Sequence, residues 1–122
     1  MKTGALDFLA GYPPPVQTTG AQARKLILSV LPDCEEILDS PARIIAYGYG
    51  PGYSDTICTI IPSQKGLKVG ILRAADLPDP DGVLEGTGKR HRYIDLKTNA
   101  AERLDPLKRM LRAALKAWKA KE

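Results

Sequence analysis

An amphipathic stripe near the C-terminus does most to constrain how this 122-residue chain can fold. Leu107, Met110, Leu111, Ala114, Leu115 and Trp118 recur every third or fourth residue, so they share one side of a helix and need an apolar surface to cover them. Lys108, Arg109, Arg112, Lys116 and Lys119 take the remaining, wet faces. Asp105 is a good N-cap and Pro106 suits a first helical position, so the helix is predicted to begin there. The surface it requires comes from short β-branched runs at 43–47, 56–61, 67–72 and the segment beyond Gly88. A helix lying on a sheet is the arrangement this pattern predicts.

The turns agree with that reading. Glycine and proline break the chain over 48–53, and Ser63-Gln64-Lys65-Gly66 reads as a hairpin loop. The run at 67–72 alternates most clearly, with Leu67, Val69 and Ile71 inward and Lys68 and Gly70 outward. Gly70 leaves space on the outer face for a ligand or a crossing backbone. Ahead of the strands, Leu6, Phe8 and Leu9 mark a short helical turn before Pro13-Pro14-Pro15. A second helix is predicted from Thr18 or Thr19 to Leu31, with Ala23, Ile27, Val30 and Leu31 on its apolar side. The acid and proline run at 76–82 reads as turn chemistry, since it lacks the order of a calcium loop.

One domain over 1–122, with a helical and proline-rich lead-in at 1–17, is the organisation expected for this length. No apolar run is long enough to span a bilayer, and the acid at Asp7 sits where a signal peptide needs apolar residues. The expectation is a cytoplasmic protein that does not meet the membrane, with Cys34 and Cys58 as reduced, buried thiols. Charge divides unevenly. Residues 1–85 carry seven Lys/Arg against ten Asp/Glu, net −3, and residues 86–122 carry eleven against four, net +7. A basic C-terminal third attracts nucleic acid, anionic ligands or acidic partners, or is simply solvated.

The densest chemistry lies in Gly86-Thr87-Gly88-Lys89-Arg90-His91-Arg92-Tyr93, a glycine turn opening a strand. Alternation then puts Arg92, Ile94 and Leu96 on one face and His91, Tyr93 and Asp95 on the other. The spacing from Gly82 to Lys89 is not that of a P-loop, Arg90 replaces the magnesium-binding hydroxyl, and a strand follows instead of a helix. A looser anion cradle of turn amides with Lys89, Arg90 and Arg92 stays open beside a purely solvated turn. His91 is the sole histidine and the one group suited to near-neutral proton transfer, and nearby arginines disfavour its charged form. No catalytic residue is assigned, and a binding protein is preferred to an enzyme.

Asp33, Glu35, Glu36 and Asp39 form an acidic patch. Asp33 with Glu36 has capping-box spacing for a helix over 33–39, and the helical pairs Asp33/Glu36 and Glu35/Asp39 are also spaced to share a cation.

Several of these segments resemble the YdhG-like family, a domain of unknown function. They are Leu-Ile-Leu…Pro-Asp-Cys-Glu-Glu at 26–36, Ile-Ile-Ala-Tyr-Gly at 44–48, Gly-Thr-Gly-Lys-Arg-His-Arg-Tyr-Ile at 86–94, and Asp-Pro-Leu-Lys-Arg-Met-Leu-Arg-Ala-Ala at 105–114. The likeness covers about residues 20–118. It departs after Gly48, where many members continue with Met-Pro and an aromatic-rich strand. The resemblance implies an α+β fold and a cytoplasmic bacterial protein. One relative is described as a frataxin-like intracellular iron chaperone, which implies iron as a cargo; no iron-ligand motif carries over from the family, and under that reading the acidic patch of Asp33, Glu35, Glu36 and Asp39 would supply the ligands.

The combined expectation is an antiparallel sheet of four or five strands, with N-terminal helices and the C-terminal amphipathic helix on one face. The other face stays partly open, lined by Tyr47, Gly70, His91 and Tyr93, with Lys89, Arg90 and Arg92 at its rim. Its ligand is an unspecified small molecule or metal. The alternative is an anion or nucleic acid held by the 86–92 turn and the final helix.

Overall fold

In the computed structural model, which describes residues 4–50 and 52–120, five strands form one antiparallel meander in chain order. They are β1 (Glu35–Asp39), β2 (Ile44–Gly48), β3 (Thr56–Pro62), β4 (Leu67–Ile71) and β5 (Arg92–Lys97). Helices α1 (Ala5–Leu9) and α2 (Pro14–Val30) precede the sheet, and α3 (Leu104–Ala120) follows it. This is the α+β class, with helices at both ends of the chain. Met1 to Thr3 and Pro51, which enter the readings of the N-terminus and the 48–53 turn, lie outside the described residues.

Alternation along the strands separates two faces. Ile45 and Tyr47, Cys58 and Ile60, Leu67, Val69 and Ile71, and Ile94 and Leu96 are buried together with Ala23 and Ile27 of α2. Leu107, Met110, Leu111 and Ala114 of α3 complete that core, while Leu115 and Trp118 of the same stripe are half-buried against it. Each large side chain moved from water into such a layer contributes about 1.5–3 kcal/mol, which is why a single helix stripe settles which face is covered. Helix α3 starts at Leu104, one residue ahead of the expected Asp105, which sits in its first turn.

Two local expectations are corrected. Helix α2 begins at Pro14, with Pro13 as its N-cap (φ −57°, ψ 150°), well before Thr18. First-turn amides have no partner within a helix, so prolines there forfeit no hydrogen bond. The 33–39 segment is not a capped helix. Asp33 takes a left-handed conformation (φ 58°), and Glu35 to Asp39 pair with Gly48 to Ile44 as the edge strand β1. A five-residue stretch beside a ready partner satisfies its backbone groups better in a ladder than in little more than one helical turn.

The opposite edge is closed differently. Glu85 N–H donates to Tyr93 O (2.8 Å) and Tyr93 N–H donates to Glu85 O (3.0 Å), so the chain before the basic turn bridges to β5. Among the described residues no helix is long and apolar enough to cross a membrane. Cys34 and Cys58 are both free thiols; Cys58 is buried in the core, whereas Cys34, in the turn ahead of the edge strand, is only half-buried.

Candidate functional site

Neither α2 nor α3 covers the second face of the sheet, and its relief follows from side-chain size. The register places Ile37, Ala46, Thr59, Gly70 and Tyr93 in one row across all five strands. The middle of that row is a methyl, a small hydroxyl and no side chain at all, while isoleucine and tyrosine stand at its ends. A Cβ on Gly70 would lie 2.6 Å from Thr59 Oγ1, so the glycine is needed for the threonine to lie flat across β4. Irregular register at Tyr47/Gly48 and at Leu67/Lys68 adds local bend.

The result is a concavity of about 620 Å³, lined by Ile37, Ile44, Ala46, Ile61 and Leu72 as its apolar part, with Thr56, Thr59 and Gly70. Asp39 lies at its β1 end, and His91, Arg92 and Tyr93 at its β5 end. Ile37 and Ile61 keep 43% and 36% of their surface exposed, large values for isoleucine on a sheet. A second hollow of about 420 Å³ adjoins it and shares Ile61; Lys65, Lys68, Asp95 and Lys97 line it.

Of the residues expected on the open face, Gly70, His91 and Tyr93 are there, with Arg92 beside them. Tyr47 is not. It is fully buried on the helix side, where its hydroxyl donates to Glu36 Oε2 at 2.6 Å. The cause is register parity: Tyr47 stands one residue from Ala46, which belongs to the open row.

His91 is fixed by the chain around it. Its Nδ1 accepts the Arg73 backbone N–H at 2.9 Å, so in the neutral ring the proton sits on Nε2. Burial, then the nearby Arg73 and Arg90 charges, hold its pKa below the ordinary histidine value. Arg90 O accepts the Ala75 N–H at 2.8 Å, tying the same two segments together. The basic turn itself relies on Gly86, at φ 112°, a conformation closed to most L-residues. Arg92 Nη1 donates to Gly88 O and to His91 O, so that part of the guanidinium braces the turn from within. Lys89 and Arg90 are exposed at its tip.

The acidic quartet is dispersed by the strand. Glu36 faces the helices, where Arg24 Nε and Nη2 donate to its two oxygens at 2.7 and 3.0 Å. Glu35 and Asp39 alternate to the other face, Asp39 accepting the Ala42 N–H at 3.2 Å, and Asp33 lies in the preceding turn. Among the described residues no three His, Cys, Asp or Glu gather as a metal site. The 76–82 loop is organised by turn chemistry: Asp79 accepts the N–H groups of Val83 and Leu84 at 3.0 Å each. Asp81 receives a bidentate pair from Arg109 of α3, both at 2.9 Å.

Sequence reading missed Ile37, Ile44, Ala46, Thr59 and Ile61. The alternation of Thr59 and Ile61 with Cys58 and Ile60 carried a signal for β3, whereas reading 33–39 as a helix hid Ile37. Set beside known proteins, the chain matches no family model, no curated protein and no solved structure. Fold and site together define a class: a helix-backed antiparallel meander with a hollow on its bare face.

Proposed function

We propose that this is a small binding protein that takes a compact, largely apolar ligand in the concavity of its uncovered sheet face. One observation carries the reading: the Ala46, Thr59, Gly70 floor between Ile37 and Tyr93 makes a pre-formed hollow in a surface that would otherwise be flat. Its volume of about 620 Å³ lies within the range of small-molecule sites, about 300–1,000 Å³. Apolar walls supply affinity by removing the ligand's surface from water, and the polar groups at the two ends orient it. His91, with Nδ1 accepting a backbone N–H, suits orientation better than proton shuttling.

The test is a fluorescence titration with N-phenylnaphthylamine, an uncharged probe that brightens in apolar surroundings. Saturable binding is expected for the natural protein. Ala46→Trp, which fills the floor from a partly open position, should abolish it while leaving the circular dichroism spectrum unchanged. Undiminished binding by a folded Ala46→Trp variant would overturn the proposal.

A further inference from the structure

We propose that the ligand of this concavity is an organic anion, and that Lys65, Lys68 and Lys97 in the adjoining hollow hold its acidic group. The inference rests on the binding reading above and adds the ligand's charge. Three observations converge on it. The two hollows meet at Ile61, which lines both, so a single molecule can extend from one into the other. The Lys68 ammonium lies 4.6 Å from the centroid of the Tyr93 ring, and Tyr93 is itself a wall of the apolar hollow, so positive charge stands at the boundary. Finally, none of the three lysines forms an ion pair among the described residues.

The single carboxylate in the second hollow does not cancel that charge. Asp95 is the cross-strand partner of Lys68, yet its Oδ1 accepts the Lys97 backbone N–H at 2.9 Å and the Lys68 ammonium sits on the tyrosine ring. Three cations against one anion leave the hollow net positive beside an apolar floor. An aromatic or aliphatic body with a carboxylate or phosphate at one end complements both halves. A phosphate ester, which carries more charge, is the better match to three ammonium groups.

The experiment pairs N-phenylnaphthylamine with anilinonaphthalene sulfonate, the same ring system with and without an acid, titrated against the full chain. The sulfonate should bind about tenfold more tightly at low salt, as several exposed charge contacts together provide, and that margin should close as salt is added. The K65Q/K68Q/K97Q variant, altered only at exposed side chains, should lose the margin and keep its affinity for the uncharged probe. Equal affinities for the two probes, or a margin that survives in the triple variant, would overturn the inference and leave the apolar site standing. Failure of both probes would instead remove the site, and the inference with it. Competition by naphthyl phosphate and by naphthoate then separates the two acid sources, and displacement by either supports an organic anion. Displacement only by a single-stranded oligonucleotide would overturn the inference in favour of nucleic acid.

Discussion

The phenol of Tyr47 and the carboxylate of Glu36, register partners across β1 and β2, are joined by a 2.6 Å hydrogen bond on the helix side of the sheet. Arg24 of α2 grips the same carboxylate through two nitrogens, so one acid on an edge strand links that edge both to its neighbour and to a helix. Edge strands hold on to a sheet from one side only, and β1 exposes Ile37 and Leu38 as well. This polar triad supplies a tertiary anchor that its apolar residues do not.

Removing the phenol oxygen tests the anchor at its driest point. Tyr47→Phe should destabilise the protein by about 1 kcal/mol, since Glu36 keeps Arg24 as a partner. Glu36→Ala should cost more, about 1–3 kcal/mol, because it strands the buried hydroxyl and releases the arginine. Urea unfolding midpoints of the two variants give the comparison.

The same carboxylate predicts an acid response. Burial raises the Glu36 pKa, but the Arg24 and Tyr47 hydrogen bonds and the Arg24 charge outweigh it and leave the value below the usual 4.5. Its contribution is therefore complete above the unfolded-state pKa and is lost as pH falls through the lower folded value. Measured across pH, the stability gap between the natural protein and Glu36→Gln should be widest near neutrality and shrink below about pH 4.5.

At the floor of the concavity, Gly70 and Thr59 should behave as a coupled pair. Gly70→Ala brings its methyl to 2.6 Å from Thr59 Oγ1 and should cost about 1–3 kcal/mol by overpacking. In a Thr59→Ala background that conflict disappears, so the double variant should be less destabilised than the sum of the singles, with a coupling of about 0.5–3 kcal/mol. A thermodynamic cycle from chemical denaturation measures it. Additive effects would mean that the hydroxyl does not lie over the glycine.

His91 should titrate below 6.5 in an NMR pH series, and Arg90→Gln should move it upward by removing one of the two charges that oppose protonation. Because the fold favours the neutral ring, this contribution to stability is present above 6.5 and is lost as pH falls through the depressed folded value. The neutral spectrum should be that of the Nε2–H tautomer, as the Arg73 hydrogen bond to Nδ1 requires.

Much of this architecture was legible along the chain. The stripe from Leu107 to Trp118, and the alternation of Leu67, Val69 and Ile71, each record the face to be buried, because helices and strands repeat on fixed periods. So did the strand after Gly88: Ile94 and Leu96 are buried, and Tyr93 lines the open face. Reading a helix at 33–39 failed because acids around Ile37 and Leu38 satisfy a capped helix and an edge strand equally well. Only β2, arriving from the next turn, decides between them.

Local pattern determined which residues of this protein seek shelter from water, since periodicity and size are properties of each segment alone. It could not determine which small residues become neighbours. Ala46, Thr59 and Gly70 form a floor only because the register aligns them, and Tyr47 misses that floor by one position. Register depends on pairing between segments far apart in the chain, so the hollow, its lysine neighbour and the Glu36 anchor exist only in the assembled sheet.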